Sequence, residues 1–168
     1  DGPAPFVFQK TIDEVLVSIT VGLNTSRAVA ADEDDSAFEE KRSSRTAGWT
    51  VLCNDRAVIV GDKSRLTGWG DGIPMYHDQF IVLTGIVEFR ATQAERLPVT
   101  TTKRALDTSS NVWLEALVKM KEGMRVWITY TNHWKNHPRA DQTIHWQDAR
   151  PVSLHEAIEA VSGREETK

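Results

Sequence analysis

The middle of the chain reads Phe80-Ile-Val-Leu-Thr-Gly-Ile-Val-Glu-Phe89. Apolar and β-branched residues fill most of this stretch, which is typical of a strand at the centre of a sheet. Gly85 interrupts it, and a glycine inside a strand indicates a bulge or a close approach by another part of the chain. The stretch therefore predicts the central strand of the fold.

Three further strands are predicted before it. Val15–Val21 and Gly48–Cys53 are rich in apolar and β-branched residues, and Ala57–Val60 follows as a shorter run of the same kind. Asn54-Asp55-Arg56 separates the last two strands, and Asn and Asp both suit a tight hairpin turn. Asp1–Gln9 carries Pro3 and Pro5 and is predicted to run extended.

A long helix is predicted after the central strand, from about Ser109 to Lys135. Its apolar or semi-apolar positions recur at alternating steps of four and three residues, which is the spacing of one buried helical stripe. The stripe comprises Trp113, Leu117, Met120, Met124, Trp127, Thr131 and Trp134. Any residue from Asp107 to Ser110 could cap the helix, and Pro138 ends it. A coiled-coil partner could use the stripe, but packing on the chain's own sheet is favoured, because the strands need a cover.

The predicted fold class is therefore α+β, with a four-stranded, mostly antiparallel sheet covered on one face by this helix. Residues 1–23 are assigned to an N-terminal extended segment and the first strand, and 47–136 to the core. Between them, 24–46 is polar and acidic and predicts a mobile insertion. Residues 137–168 form a C-terminal extension, in which Ser153 and Glu156 make the capping box of a short helix.

Composition narrows the class of protein. The 168 residues suffice for one domain with a real core, and 40% hydrophobic with 26% charged residues is ordinary for a globular protein. The net charge of −4 argues against bulk nucleic-acid binding. A single cysteine excludes an internal disulfide and fits a reducing compartment, so a cytoplasmic location is expected. No apolar run approaches the ~20 residues of a membrane span, and no signal peptide is recognisable at the start. Because the chain begins without methionine, it is compatible with a piece of a longer protein.

The candidate site lies between the central strand and the long helix. Leu97-Pro-Val-Thr-Thr-Thr-Lys-Arg104 places three threonines directly before Lys103. Hydroxyl groups, a lysine ammonium and the free N–H groups of a following helix together suit a phosphate. The other interpretation, an ordinary exposed loop lysine, stays open from spacing alone.

Two other groups of residues suggest competing sites. His133 and His137 are four residues apart, with His145 beyond, but no glutamate base lies between them and Pro138 disturbs the second, so no metal site is predicted. Aromatic and cationic residues interleave near the C-terminus, which suits stacking on bases alongside phosphate contacts. They are Trp134, Lys135, His137, Arg139, His145, Trp146 and Arg150. The favoured alternative is that the two tryptophans pack the C-terminal segment against the body of the protein.

Several enzyme classes lack their sequence signals. There is no Gly-x-Ser-x-Gly elbow, and nothing marks Cys53 as a nucleophile. There is no phosphate-binding Gly-x-x-x-x-Gly-Lys-Ser/Thr loop and no dinucleotide fingerprint. Gly68-Trp-Gly-Asp-Gly72 is rich in glycine but does not join a strand to a helix, so it is weak support for a nucleotide site.

Three motifs give the core a family resemblance. Trp49–Ile59 is similar to a hairpin with an Asn-Asn-Arg or Asn-Gly-Arg turn, Gly85–Phe89 to a Gly-Val-Ile-Glu strand, and Thr100–Asp107 to a Pro-Thr-x-x-Lys-x-x-Asp segment before a long helix. In this order they resemble the second, or transducer, domain of the GHKL (Bergerat-fold) ATPases, which include gyrase B, MutL, the Hsp90 chaperones and MORC proteins. The likeness extends to bacterial Hsp90-like ATPases of MORC-like type through Tyr130-Thr-Asn-His-Trp-Lys135.

The resemblance implies a fold like ribosomal protein S5 domain 2 and a function. In this family the lysine reaches the γ-phosphate of ATP held by a neighbouring Bergerat domain, so Lys103 is the implied catalytic residue. Thr101, Thr102 and Arg104 are the implied cofactor-binding residues beside it. The module would couple nucleotide state to conformational change, and this family commonly dimerises through its nucleotide domain.

The chain lacks the other half of such an enzyme. An Asn-bearing helix for magnesium, an Asp-x-Gly-x-Gly adenine motif and a glycine-rich lid are absent from the sequence. ATP with Mg would therefore be bound mainly by a Bergerat-fold domain in cis or in trans, and the chain is not expected to be active alone. Glu88 should accordingly be structural, because the general-base glutamate belongs to the missing domain. The alternative function is a stand-alone nucleic-acid or protein-binding module acting through the Trp134–Arg150 surface.

Overall fold

The computed structural model describes residues 4–23, 45–102 and 105–134 of the chain. Its strands are β1 (Phe6–Ile12), β2 (Val15–Leu23), β3 (Gly48–Cys53), β4 (Arg56–Asp62) and β5 (Leu83–Arg90), and its long helix is α1 (Asn111–Trp134). Short 3-10 helices occupy Arg65–Thr67, Asp78–Phe80 and Ala94–Arg96. The fold class is α+β, as predicted.

The sheet has five strands in the order β1-β2-β5-β3-β4. The pairings β1–β2, β2–β5 and β3–β4 are antiparallel, while β3–β5 is parallel. The prediction of four strands was therefore one strand short. The observed sheet is mixed, with one parallel pairing among mostly antiparallel ones. The missed strand is β1, which begins at Phe6 directly after the prolines and pairs with β2 along its whole length. A tight turn joins the two strands, with Asp13 and Glu14 both at positive φ.

One face of the sheet forms the core. Register aligns its side chains in rows across the three inner strands, so that Val17, Phe89 and Cys53 form one row and Ile19, Val87 and Val51 the next. All six are buried. The glycine in β5 marks a close approach: a Cβ built on Gly85 would lie 2.6 Å from the Trp49 ring. The irregularities that resemble bulges lie instead between β3 and β4.

Helix α1 covers this face, as predicted. Of the predicted stripe, Trp113, Met120, Met124 and Trp127 are buried, and Leu117 and Thr131 are half-buried. The stripe is wider than predicted, because Val112, Ala116 and Ile128 are buried too. The indole N–H of Trp127 donates to the carbonyl oxygen of Val21 at 2.7 Å, which fixes the helix over β2.

A long connection between β4 and β5 packs beside the helix. Trp69 is buried there against Tyr76 and Phe80, with ring centroids 5.2 and 5.8 Å away. Lys121 pairs with Asp71 at 2.8 Å, which ties the connection to α1. The central strand was predicted from Phe80, but it begins at Leu83, because Phe80 ends a 3-10 turn and packs on Trp69 instead.

Candidate functional site

The predicted site segment is held in a short antiparallel pairing. Val99 bridges Leu106, the Thr100 N–H donates to the Ala105 carbonyl at 2.9 Å, and the Asp107 N–H donates to the Pro98 carbonyl at 2.9 Å. Leu106 is buried in the core. The two sides of this pairing therefore rest on the folded body, and the residues between them are the predicted phosphate-binding ones.

Its hydroxyl groups reach the surface. Thr101 and Thr102 are exposed, and the Thr100 and Thr102 Oγ1 atoms are 3.1 Å apart, within hydrogen-bonding distance. Lys103 and Arg104 lie outside the described residues. Of the four predicted site residues, the structure thus places Thr101 and Thr102, side by side on the surface.

Asp107 links this segment to the start of the helix. Its Oδ1 accepts from the Ser109 hydroxyl at 2.6 Å and from the Ser109 N–H at 3.1 Å. The hydrogen bond from the Ser109 hydroxyl, and to a smaller extent the one from its N–H, hold the pKa of the Asp107 carboxyl below its usual range. Ser110 then accepts from the Leu114 N–H at 3.0 Å, the first bond of the helix. The N-terminal N–H groups and dipole of α1 favour an anion. The first turn has no acidic side chain, and the Asp107 carboxylate accepts from an N–H just before it.

Other turns meet at the same end of the sheet. Arg96 pairs with Glu14 of the β1–β2 turn at 3.2 Å. Asn111, at the start of α1, donates to Asp13 of that turn at 3.0 Å. The β3–β4 turn contacts the residue after β5 through Asn54, whose side-chain N–H donates to the Ala91 carbonyl at 2.9 Å. Hydrogen bonds and an ion pair therefore join the turns around the candidate site.

Glu88 has a structural environment, as the sequence suggested. Its side chain is on the sheet face opposite α1, is 3% exposed, and pairs with Arg90 at 2.8 Å. Arg90 also pairs with Asp55 in the β3–β4 turn. Hydrogen bonding to Asp55, with the charge of Glu88, raises the pKa of Arg90. Sequence reasoning missed this bridge and the Asn54 contact, although the Asn-Asp pair in the turn was its visible signal.

The competing sites can be placed only in part. His133 is exposed near the end of α1, while His137 and His145 lie outside the described residues. In the parts of the chain that the structure describes, no group of three His, Cys, Asp or Glu side chains could hold a metal ion. The predicted Trp134–Arg150 surface also lies outside the described residues, apart from the backbone of Trp134 at the helix end.

Cys53 shows no sign of nucleophilic chemistry. It is buried at the end of β3, and burial raises the pKa of its thiol to about 11. Among the described residues, none of the helices combines the length and the apolar character that a membrane span needs.

The likeness that comparison with known proteins finds is to solved structures. No protein-family model and no curated protein matches the chain. A solved structure similar to it is the B subunit of the DNA gyrase from Myxococcus xanthus, at 17% identity and a TM-score of 0.40. The match covers 86% of this chain and 43% of the gyrase chain, so this chain spans less than half the length of that structure. A likeness of this size carries no argument about fold, family or activity.

Proposed function

We propose that this chain is the transducer module of a GHKL-type ATPase, of the Hsp90-like or MORC-like kind, with its core at 47–136. The single observation that supports the proposal is the arrangement around Thr100–Asp107. A threonine-rich segment of the family's pattern is held by the Val99–Leu106 bridge, immediately before the N-terminus of a long helix on a sheet. A lysine carried by this segment would be available to a phosphate held by a neighbouring domain.

The chemistry follows from the residue types. The Lys103 ammonium would neutralise charge that develops on the γ-phosphate during transfer. Thr101, Thr102 and Arg104 would supply further donors to the same phosphate. ATP with Mg would be bound mainly by a Bergerat-fold domain in cis or in trans, and a homodimer would bring two such sites together. Because ADP has no γ-phosphate, Lys103 would lose its partner after hydrolysis, and the module would respond to nucleotide state.

The proposal is tested with Lys103→Ala in the chain joined to or mixed with its nucleotide-binding domain. We expect kcat for ATP hydrolysis to fall by roughly 100-fold or more, since one electrostatic contact to a transition state is of that magnitude. Lys10→Ala is the matched control. Lys10 is an exposed lysine on β1 that lies 4.0 Å from a carboxylate oxygen of Glu115, so its loss should leave turnover unchanged.

Two results would refute the proposal. One is turnover of Lys103→Ala within twofold of the unmodified protein, with both proteins equally folded by circular dichroism. The other is robust ATP hydrolysis by this chain alone, because the module is proposed to depend on a separate nucleotide site.

A further inference from the structure

The β3–β4 turn makes hydrogen bonds beyond those that close the hairpin. Asn54 and Asp55 have φ values of 46° and 67°, as in the tight turn of a two-residue hairpin. Beyond that, the Asn54 N–H donates to the Phe89 carbonyl at 2.9 Å. This bond continues the parallel β3–β5 ladder to its end.

The Asn54 side chain then extends the ladder past β5. Its Oδ1 accepts from the Ala91 N–H at 2.9 Å, and its Nδ2 donates to the Ala91 carbonyl at 2.9 Å. One side-chain amide therefore satisfies both backbone groups of a residue 37 positions away, as a neighbouring strand would. A side-chain amide carries a donor and an acceptor on two separate atoms, whereas an ionised Asp carboxylate is an acceptor only and could not donate to the carbonyl.

Ala91 is the first residue of the segment that leads to the candidate site. β5 ends at Arg90, and the segment runs through Ala94–Arg96 to the Val99–Leu106 bridge. Its far end is fixed by the buried Leu97 and Leu106. At the near end the strand pairing stops at Arg90, and the Asn54 side chain continues to hold the chain at Ala91.

Asp55 contacts a different part of the molecule. Its carboxylate pairs with Arg90, and the two side chains are 73% and 49% exposed. An ion pair exposed to that degree contributes little to stability. The two turn residues are thus adjacent in sequence, share the same backbone conformation, and differ in that Asn54 alone holds Ala91.

We propose that Asn54 is a positioning residue for Lys103, acting through Ala91 and the segment that follows it. The inference rests on the proposed function, because it assumes that Lys103 must be presented accurately to a phosphate. Loss of the Asn54 amide would free the start of the segment and misplace the lysine, without removing any group that touches nucleotide. A misplacement on the order of 1 Å costs roughly 100-fold in rate.

The test compares Asn54→Gly with Asp55→Gly. Glycine accepts positive φ at either position, so each variant keeps the turn and loses one side chain. Amide hydrogen exchange is measured in the chain, and kcat and KM for ATP are measured with the nucleotide-binding domain present. In Asn54→Gly we expect exchange at Ala91 to rise roughly fivefold or more, exchange at Thr100 to rise with it, and kcat to fall roughly 10- to 100-fold at unchanged KM. Asp55→Gly should leave all three readouts near their original values.

Each other outcome contradicts a distinct claim. If exchange at Ala91 rises while Thr100 and kcat stay unchanged, Asn54 does not position the segment, although Lys103→Ala can still show the proposed function to be correct. If Lys103→Ala itself leaves turnover intact, the proposed function fails, whatever Asn54 does. Should Asn54→Gly not fold, Asn54→Asp decides the question, because it keeps an acceptor for the Ala91 N–H and loses the donor to its carbonyl. Unchanged kcat and Thr100 exchange in that variant would overturn the inference.

Discussion

The ring of Trp49 on β3 occupies the space above Gly85 on β5, its partner in the parallel ladder. A Cβ on Gly85 would come within 2.6 Å of two ring carbons of Trp49, closer than real Cβ atoms approach. Trp49 is fully buried, so its ring has no free space into which it could move. The centre of the sheet therefore requires glycine at this position because of its neighbour, not because of its backbone angles.

Replacement of Gly85 by alanine should accordingly destabilise the protein. We expect the free energy of unfolding to fall by about 1–3 kcal/mol, the usual cost of overpacking a core, measured by urea denaturation. Gly22→Ala is the matched control on β2, since among the described residues its new Cβ would meet Pro5 alone, at 3.4 Å. An equal loss in both variants would show that glycine itself, rather than the Trp49 ring, matters.

Trp127 should depend on its hydrogen bond as well as on its size. Trp127→Phe removes the donor to the buried Val21 carbonyl and should cost about 2–4 kcal/mol, as a packing loss plus an unsatisfied acceptor. Trp69→Phe makes the same change in size, but the Trp69 indole N–H is buried with no partner among the described residues. Thermal or urea unfolding of both should show Trp127→Phe to be the costlier, by about 1–2 kcal/mol. The reverse order would contradict the assigned role of the bond.

Asp107 should give the helix start a dependence on pH. Its pKa is lowered in the folded state, so its contribution to stability is present above the ordinary carboxyl value of 3.8 and is lost as the pH falls through the folded value. The difference in unfolding free energy between the unmodified protein and Asp107→Asn should therefore narrow on acidification below that value. Ser109→Ala removes the hydroxyl that lowers the Asp107 pKa most. This variant should therefore also show a smaller dependence of the unfolding free energy on pH. A difference that stays constant down to acid pH would refute this assignment.

The Cys53 thiol should be unreactive in the folded protein. Burial raises its pKa from 9.0 to about 11, so little thiolate exists near neutral pH, and alkylation at pH 8 should proceed only as fast as the protein opens. The raised pKa contributes stability below pH 9 that is lost as the pH rises toward about 11. Cys53→Ala should lack this alkaline loss. Rapid alkylation in the absence of denaturant would contradict the burial of the thiol.

Local patterns in the sequence predicted the local parts of the fold. The Asn54-Asp55 turn and the stripe of α1 from Trp113 to Thr131 were predicted correctly, because a turn and a helix face are set by residues within a few positions of one another. The start of the central strand was wrong, because Phe80 is as apolar as Leu83 and only the tertiary contact with Trp69 draws it out of the strand. β1 was missed as a paired strand for a similar reason, since its pairing depends on β2 rather than on its own pattern.

In the candidate site, too, the local features were predictable from the sequence and the distant contacts were not. The run of threonines before a lysine and a helix start is visible in sequence, and so is Asp107. The hydrogen bonds between Asn54 and Ala91 join distant positions through one side-chain amide. A single sequence carries no signal for such a contact beyond the presence of an asparagine in a turn. The roles of Lys103 and Arg104 in the site stay predictions.

The central place of β5 has a consequence for how the molecule assembles. β1–β2 and β3–β4 are hairpins closed by tight turns, so each can form soon after its own residues are synthesised. Neither hairpin pairs with the other, because β5 lies between them. The two halves of the sheet therefore join only when the last strand inserts, and their apolar face stays open until α1 follows. Such dependence on distant pairing is typical of chains that fold in milliseconds to seconds rather than microseconds.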